Sequence, residues 1–155
     1  GPGKLGQLIA RVLHETSASV TVMGRSPEKL DRLSDLGVSK IFSDSNPIGF
    51  DIAVECTGNQ DGFAAALAAL RPKGTLILKS TYPGALSFDA TPLVVDEIKI
   101  VGSRCGPFDK ALKVMADGKI DPTGLIDARY ALADGLAAFE HHARASVLKV
   151  LLEVS

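Results

Sequence analysis

Three glycines open the chain at a spacing that could bind phosphate. Gly1-Pro2-Gly3-Lys4-Leu5-Gly6 reads G-x-G-x-x-G and leads into an apolar pattern of helical period. In a dinucleotide site the first glycine makes a tight turn and the second lets the backbone approach a pyrophosphate, while the third lets the helix pack on its strand. Because the first amides of a helix are free, they donate to phosphate oxygens. The motif predicts a phosphate-binding loop.

A second group of polar residues, Gly24-Arg25-Ser26 with Lys29, follows the β-branched run 18–23. An acidic residue there would bind the ribose 2′-hydroxyl of NAD, whereas a small residue, a guanidinium and a hydroxyl suit the 2′-phosphate of NADP. One charge-assisted hydrogen bond contributes about 1.5–3 kcal/mol, which is about a ten- to hundredfold preference. NADP is therefore predicted as the preferred cofactor, and NAD as the alternative. A plainer interpretation makes Arg25 and Lys29 solvated charges at a helix start.

Three polar triplets each end a predicted strand. Open α/β sheets bind ligands at the carboxyl edge of their strands. Each triplet alone is also typical of turns, but their shared place predicts one ligand crevice. The triplets are Cys56-Thr57-Gly58, Lys79-Ser80-Thr81 and Ser103-Arg104-Cys105.

Other reactive residues form no recognisable catalytic or metal-binding pattern. His14 and the pair His141-His142 lie on predicted helices, and consecutive helical residues point about 100° apart, so surface or packing roles are expected. Two cysteines make neither a disulfide framework nor a four-ligand zinc site. The sequence holds no H-E-x-x-H or G-x-S-x-G motif, which disfavours hydrolase chemistry.

Composition sets broad limits on function. The 155 residues include 17 Lys and Arg against 18 Asp and Glu, a net charge of −1. This balance gives no electrostatic case for binding nucleic acid or an anionic membrane. No apolar run reaches the roughly 18 residues of a membrane helix, and no signal peptide opens the chain. We expect a globular protein of the cytoplasm.

Helical and strand patterns alternate along the chain, which predicts an α/β fold with a mostly parallel sheet covered on both faces. One dinucleotide-binding domain is expected over 1–155. The helices are predicted over 4–16, 26–36, 61–70, 92–97, 108–117 and 134–145. The strands are predicted over 18–23, 39–42, 50–56, 75–79, 98–101, 126–132 and 147–154, with 50–56 buried.

The strand that should precede the glycine motif is absent. In a Rossmann-type doubly wound sheet ordered 3-2-1-4-5-6, that first strand is the central one. Without it, neighbouring strands would expose unpaired edges. We therefore expect either a fragment or a slot filled by another segment. Gly1-Pro2 is also consistent with a scar from tag cleavage.

These segments together resemble the cofactor-binding half of the medium-chain dehydrogenase/reductase superfamily, the zinc-type alcohol dehydrogenases. The resemblance spans nearly the whole chain, through GKLG, VTVMGRSPEKL, FDIAVECTGN, LRPKGTLILKSTY, EIKIVGSRCGPF and LKVLLE. It implies a parent enzyme that moves hydride between nicotinamide and a small alcohol, aldehyde or ketone.

The resemblance also assigns roles to residues. Gly3, Lys4 and Leu5 would bind the pyrophosphate through their backbone, and Lys149 would reach it from the last strand. The adenosine ribose or its phosphate would be bound by Gly24, Arg25 and Ser26, and that ribose would be bordered by Cys56 and Thr57. The nicotinamide would be approached by Lys79, Ser80, Thr81 and Ser103.

The same resemblance implies what this chain lacks. The family's zinc site and proton relay belong to an N-terminal catalytic domain, so zinc is expected only there and this chain alone is expected to be inactive. The tail from about 126 normally packs on that domain, so 147–154 is expected to lack its usual sheet partner. Dimers of the family join at the edge strand around 99–103, which implies a homo-oligomer.

Three functions stay open. The first is the NAD(P)-binding domain of an alcohol dehydrogenase-like oxidoreductase. The second is a methyltransferase-like domain that binds S-adenosylmethionine, although Gly24-Arg25 stands where such sites usually have an acid. The third is a non-catalytic module that binds cofactor or mediates association.

Overall fold

Six α-helices and seven β-strands lie in residues 1–42 and 44–154, the part of the chain that the computed structural model describes. Their alternation confirms the predicted α/β fold. The helices are α1 (Lys4–His14), α2 (Pro27–Asp31), α3 (Gln60–Ala68), α4 (Thr91–Val95), α5 (Phe108–Ala116) and α6 (Gly135–His142). The strands are β1 (Thr21–Gly24), β2 (Ser39–Phe42), β3 (Phe50–Glu55), β4 (Leu70–Leu78), β5 (Lys99–Gly102), β6 (Ile126–Ala131) and β7 (Lys149–Glu153).

The described strands form three separate sheets, ordered β1-β2, β3-β4-β5 and β6-β7. β3 with β4, β4 with β5, and β6 with β7 all pair in parallel. Within the middle sheet Glu55 is opposite Leu78, and Leu78 is opposite Gly102. The carboxyl ends of three strands therefore meet at one edge.

The described residues fall into two compact units, each discontinuous in sequence. The first unit comprises Gly1, Met23–Arg25 and Ile41–Cys105. The second unit comprises Pro2–Val22, Ser26–Lys40 and Gly106–Ser155. A single dinucleotide-binding domain over 1–155 stays a prediction.

The core of the first unit fixes α3 against the middle sheet. Phe63 of α3 and Leu76 of β4 are fully buried, and Leu67, Leu70 and Ile98 pack with them. Burying a side chain of this size contributes about 1.5–3 kcal/mol. These contacts hold the strand ends in place.

Two expectations for the middle sheet are wrong. β3 is not buried: Ile52 is 58% exposed, because β3 is an edge strand of its sheet and alternation turns Ile52 away from the core side, where Ala53 packs. β4 begins at Leu70 instead of Thr75, although Pro72–Gly74 is a turn sequence. Lys73 takes a left-handed φ of 65° there, and its amide donates to the Asp96 carbonyl at 2.7 Å.

The core of the second unit joins α1, β1 and α2 through Ala10, Val22, Leu30, Leu33 and Val38. The single helix predicted over 26–36 is wrong, since α2 ends at Asp31 and Ser34–Leu36 is a separate 3-10 turn. Tertiary bonds replace the lost helical ones: Arg11 donates to the Arg32 carbonyl at 3.0 Å.

β7 is not left without a partner in the second unit, because it pairs with β6. Asp127 positions its first residues by accepting the amides of Leu148 and Lys149 at 2.6 and 3.0 Å, and it also binds Arg32. Burial raises the pKa of Asp127, but these hydrogen bonds outweigh it and leave the pKa lowered.

Candidate functional site

The carboxyl end of β3 carries a buried acid, Glu55, whose exposed fraction is 1%. One of its oxygens accepts the Thr57 amide, the Thr57 hydroxyl at 2.5 Å and the Gly58 amide at 3.2 Å. Its other oxygen accepts the Tyr82 hydroxyl at 2.5 Å. Glu55 therefore ties the turn after β3 to the loop after β4.

Glu55 is held as a carboxylate. Burial raises its pKa, but the hydrogen bonds from Thr57, Tyr82 and Gly58 outweigh burial, so the pKa lies below its ordinary value. Burial and the neighbouring carboxylate both raise the pKa of Tyr82, which stays a neutral donor. A charged acceptor and neutral donors make a closed network, so this acid is not free to exchange protons with a substrate.

The turn after β3 is packed too closely for larger residues. Gly58 has a left-handed φ of 73°, and a Cβ there would lie 3.1 Å from the Thr81 carbonyl oxygen. A Cβ on Gly1 would lie 3.0 Å from Thr57 Cγ2, and the Cys56 thiol donates to the Gly1 carbonyl at 3.4 Å. The first unit thus brings Gly1 of the glycine motif against the first triplet.

The other two triplets also meet in the first unit. The Lys79 ammonium donates to the Ser103 hydroxyl at 3.3 Å and to the Arg104 carbonyl at 2.8 Å. Backbone bonds extend the ladder, since Lys79 donates to the Glu55 carbonyl at 2.9 Å. Beside this edge lies a cavity of about 360 Å³, lined by Gly58–Gln60 and Tyr82–Leu86. Ser80 and Thr81 lie between Lys79 and Tyr82 in the sequence.

The second unit contains the start of α1, which suits an anion. Gly3 is its N-cap, with no side chain capping the helix and no acid in the first turn. A Cβ at Gly3 would meet nothing within 4 Å. The Lys4 ammonium lies 3.4 Å from His142 Nε2, and both residues line a cavity of about 140 Å³ with Lys149. The described lining of this cavity contains no carboxylate. Leu5 is partly exposed on the same first turn.

The residues predicted to bind the adenosine ribose are divided between the units. Gly24 is buried at the end of β1 and Arg25 is exposed, both in the first unit. Ser26 and Lys29 belong to the second unit, where the Ser26 hydroxyl caps α2 by accepting the Lys29 amide at 3.3 Å. Ser26 therefore has a helix-capping role of its own.

The described residues provide no metal centre: none of them form a group of three or more histidine, cysteine or acidic side chains that could hold an ion. None of the described helices has the length and hydrophobicity that crossing a bilayer requires.

A model of the zinc-binding dehydrogenase family matches residues 5–117. The chain belongs to this family. Sorbitol dehydrogenase from Gallus gallus is 27% identical over 170 residues, which cover 99% of this chain and 47% of that protein. The chain spans less than half the length of the curated relatives that it matches.

Solved structures of dehydrogenases share the fold. Alcohol dehydrogenase TADH from Thermus sp. ATN1 has a TM-score of 0.90 at 24% identity, with 100% of this chain and 50% of that chain covered. A zinc-binding dehydrogenase from Sinorhizobium meliloti 1021 bound to NADP has a TM-score of 0.89 at 20% identity, covering 99% and 51%. The fold is therefore that of the Rossmann-type half of these dehydrogenases.

Three residues of this dehydrogenase chain were missed by sequence reasoning. Glu55 carried a signal, because it is an acid at the end of the apolar run FDIAVEC, yet nothing showed what would satisfy it. Tyr82 and His142 carried none. Tyr82 reaches Glu55 over 27 residues of sequence, and Lys4 reaches His142 over 138.

Proposed function

We propose that this chain is the NAD(P)-binding domain of an alcohol dehydrogenase-like oxidoreductase. The observation that carries the proposal is the family match over 5–117. When bound, the nicotinamide would give or accept hydride at a carbon of a small alcohol, polyol, aldehyde or ketone. The family membership favours this function over an S-adenosylmethionine site.

The residues present fit a dinucleotide. The free amides at the start of α1 and the ammonium of Lys149 would donate to the pyrophosphate. Because Gly3 has no side chain, the space where that pyrophosphate would approach stays open. Cys56 and Thr57 would border the ribose, and the Lys79–Ser103 pair would orient the nicotinamide.

The preference for NADP is part of the proposal. Its support is the exposed guanidinium of Arg25 after β1, where an acid would favour NAD. The guanidinium would pair with the 2′-phosphate, as planar forks of donors do.

Calorimetric titration of the folded chain with NADPH and then NADH tests the proposal. We expect both to bind, with NADPH tighter. Arg25→Ala should weaken NADPH about tenfold and NADH less than about twofold. Arg71→Ala is the control, because Arg71 is exposed at the opposite end of β4 and pairs with Asp51. Equal losses for both cofactors would remove the role of Arg25, and a folded chain that binds neither would favour a non-catalytic module.

Association with a second copy is also proposed, through the edge strand β5. β5 has a sheet neighbour on one side only, among the described strands, and Val101 on it is 47% exposed. Unpaired edges pair readily with other strands. Sedimentation should show a dimer, and Val101→Lys should shift it toward monomer. A wild-type chain that stays monomeric at high concentration would rule out this dimer.

A further inference from the structure

His142 lies in a cluster of basic side chains in the second unit. Its Nε2 is 3.4 Å from the Lys4 ammonium, and Lys149 lines the same cavity of about 140 Å³. The three residues come from α6, α1 and β7. The rest of the described lining is apolar: Ala138, Phe139, Val150 and Leu152.

One nitrogen of this cluster has no hydrogen-bond partner among the described residues. His142 Nδ1 is buried without a hydrogen-bond partner among them. A buried donor or acceptor without a partner is costly, and the exposed ammonium groups of Lys4 and Lys149 add positive charge beside it. An anion in the cavity would offset this charge.

The acids and titratable groups of the neighbouring elements do not line this cavity. On β6, Asp127 binds Arg32 and two amides at the start of β7. Tyr130 of β6 shares a hydrogen bond of 2.9 Å with His141 Nδ1. On β7, Glu153 pairs with Arg129, and on α6 Glu140 is exposed. The charges that line the cavity with His142 are thus the two lysines.

We propose that His142 is a third basic group for the diphosphate of the dinucleotide, and that its protonation sets how tightly the diphosphate is held. This inference rests on the proposed function. The Lys4 ammonium lies 3.4 Å from Nε2, and it can donate to that nitrogen only when the nitrogen carries no proton. A diphosphate oxygen accepts from Lys4 instead, and the imidazole takes a proton from solvent and becomes a second donor. Binding therefore consumes a proton.

His141 is the matched control for His142. The two are consecutive on α6, so their side chains point about 100° apart. His141 bonds Tyr130, whereas His142 contacts Lys4. If the loss of any histidine from α6 weakened binding, both variants would bind NADH less tightly. If the anion contacts His142 alone, only the His142 variant would.

NADH is the probe, because its diphosphate stays charged while the 2′-phosphate of NADPH itself titrates near pH 6. Histidine side chains gain their charge between about pH 8 and pH 5. We expect the wild-type chain to bind NADH about fivefold tighter at pH 6 than at pH 8. His142→Gln should bind weakly at both pH values, whereas His142→Lys should bind tightly at both. His141→Gln should keep the wild-type ratio.

Proton NMR of the wild-type imidazoles adds a readout that needs no variant. With NADH bound, His142 should keep its proton to higher pH than in the free chain. A His142→Gln chain that retains the pH ratio, or an imidazole whose titration NADH does not shift, overturns the inference and leaves the proposed function standing.

If the folded chain binds no dinucleotide, the proposed function fails, and titration with sulfate tests the basic cluster by itself. Sulfate that moves His142 shows an anion site, and sulfate that leaves it unmoved overturns the inference.

Discussion

Glu55 in the first unit and the basic cluster of Lys4, His142 and Lys149 in the second unit place their charges in opposite settings. Glu55 is 1% exposed, and both of its oxygens accept hydrogen bonds. The lysines of the basic cluster are exposed around an open cavity without a carboxylate in its described lining, and one nitrogen of the cluster has no partner among the described residues.

The difference separates positioning from binding. A buried charge is tolerated when hydrogen bonds replace its water, and it then fixes the groups that donate to it. Glu55 does so for the turn at Thr57 and the loop at Tyr82. Like charges around an open cavity gain from an added anion, so the basic cluster is the better place for a ligand. Substitutions at Glu55 should affect stability, and substitutions in the basic cluster should affect binding.

The largest expected effect is on stability, from Glu55→Gln. An amide cannot accept all the donors around Glu55, and its own NH₂ group would face other donors. We expect the free energy of unfolding to fall by about 3 kcal/mol, measured by urea denaturation. Glu153→Gln, at an exposed ion pair with Arg129, should cost less than about 1 kcal/mol. If both variants lost a similar free energy of unfolding, Glu55 would contribute no more to stability than an exposed ion pair does.

The next effect is on affinity, from Lys149→Gln. Removing one cation from the basic cluster should weaken NADPH and NADH alike, each about tenfold, with the melting temperature nearly unchanged. Lys119→Gln, on an exposed side chain, is the calorimetric control. A loss confined to NADPH would place Lys149 at the 2′-phosphate and not at the diphosphate.

A smaller effect is expected from Tyr82→Phe, which removes one donor from the Glu55 carboxylate. Other donors still reach Glu55, so the free energy of unfolding should fall by about 1 kcal/mol. Tyr130→Phe breaks a bond to His141 instead, and bonds to neutral partners are weaker. Urea denaturation at pH 8, where histidine is mostly neutral, should show a smaller loss for Tyr130→Phe. The reverse order would mean that the Glu55 network is not charge-assisted.

The smallest effect is a change in the acid dependence of stability. The pKa of Glu55 is lowered in the folded chain, so its contribution is complete above the ordinary value of about 4.5 and is lost as the pH falls through the folded pKa. The difference in unfolding free energy between wild type and Glu55→Gln should therefore shrink below pH 4.5. A difference that stays constant down to acid unfolding would show that the pKa of Glu55 is the same in the folded and unfolded chain, and that its donors do not lower it.

Local patterns predicted most elements within a few residues. The strand over 39–42 is observed with the same bounds, as β2, and the helix predicted from Lys4 ends at His14. Errors arose where tertiary bonds override local preference. Leu33 is fully buried where α2 breaks, and Lys73 extends β4 through a turn sequence by donating to Asp96.

The glycine motif, the triplets and the residues after β1 were visible because their chemistry depends on neighbours in sequence. The partners of Glu55 and of His142 were not, because a side chain that meets another over tens of residues leaves no spacing to read. His142 illustrates the limit: the sequence predicted a surface or packing role, and only the contact with Lys4 suggested the role proposed for it above.

The sequence by itself determined the α/β alternation, the parallel pairing and the family, since periodicity and short motifs encode backbone conformation directly. Only the tertiary structure decided which polar groups share a cavity and which are satisfied. Solvation depends on every element packed around a group, and those elements come from distant parts of the chain. The carboxylate of Glu55 is therefore part of the scaffold, while the ammonium of Lys4 faces an imidazole across an open space.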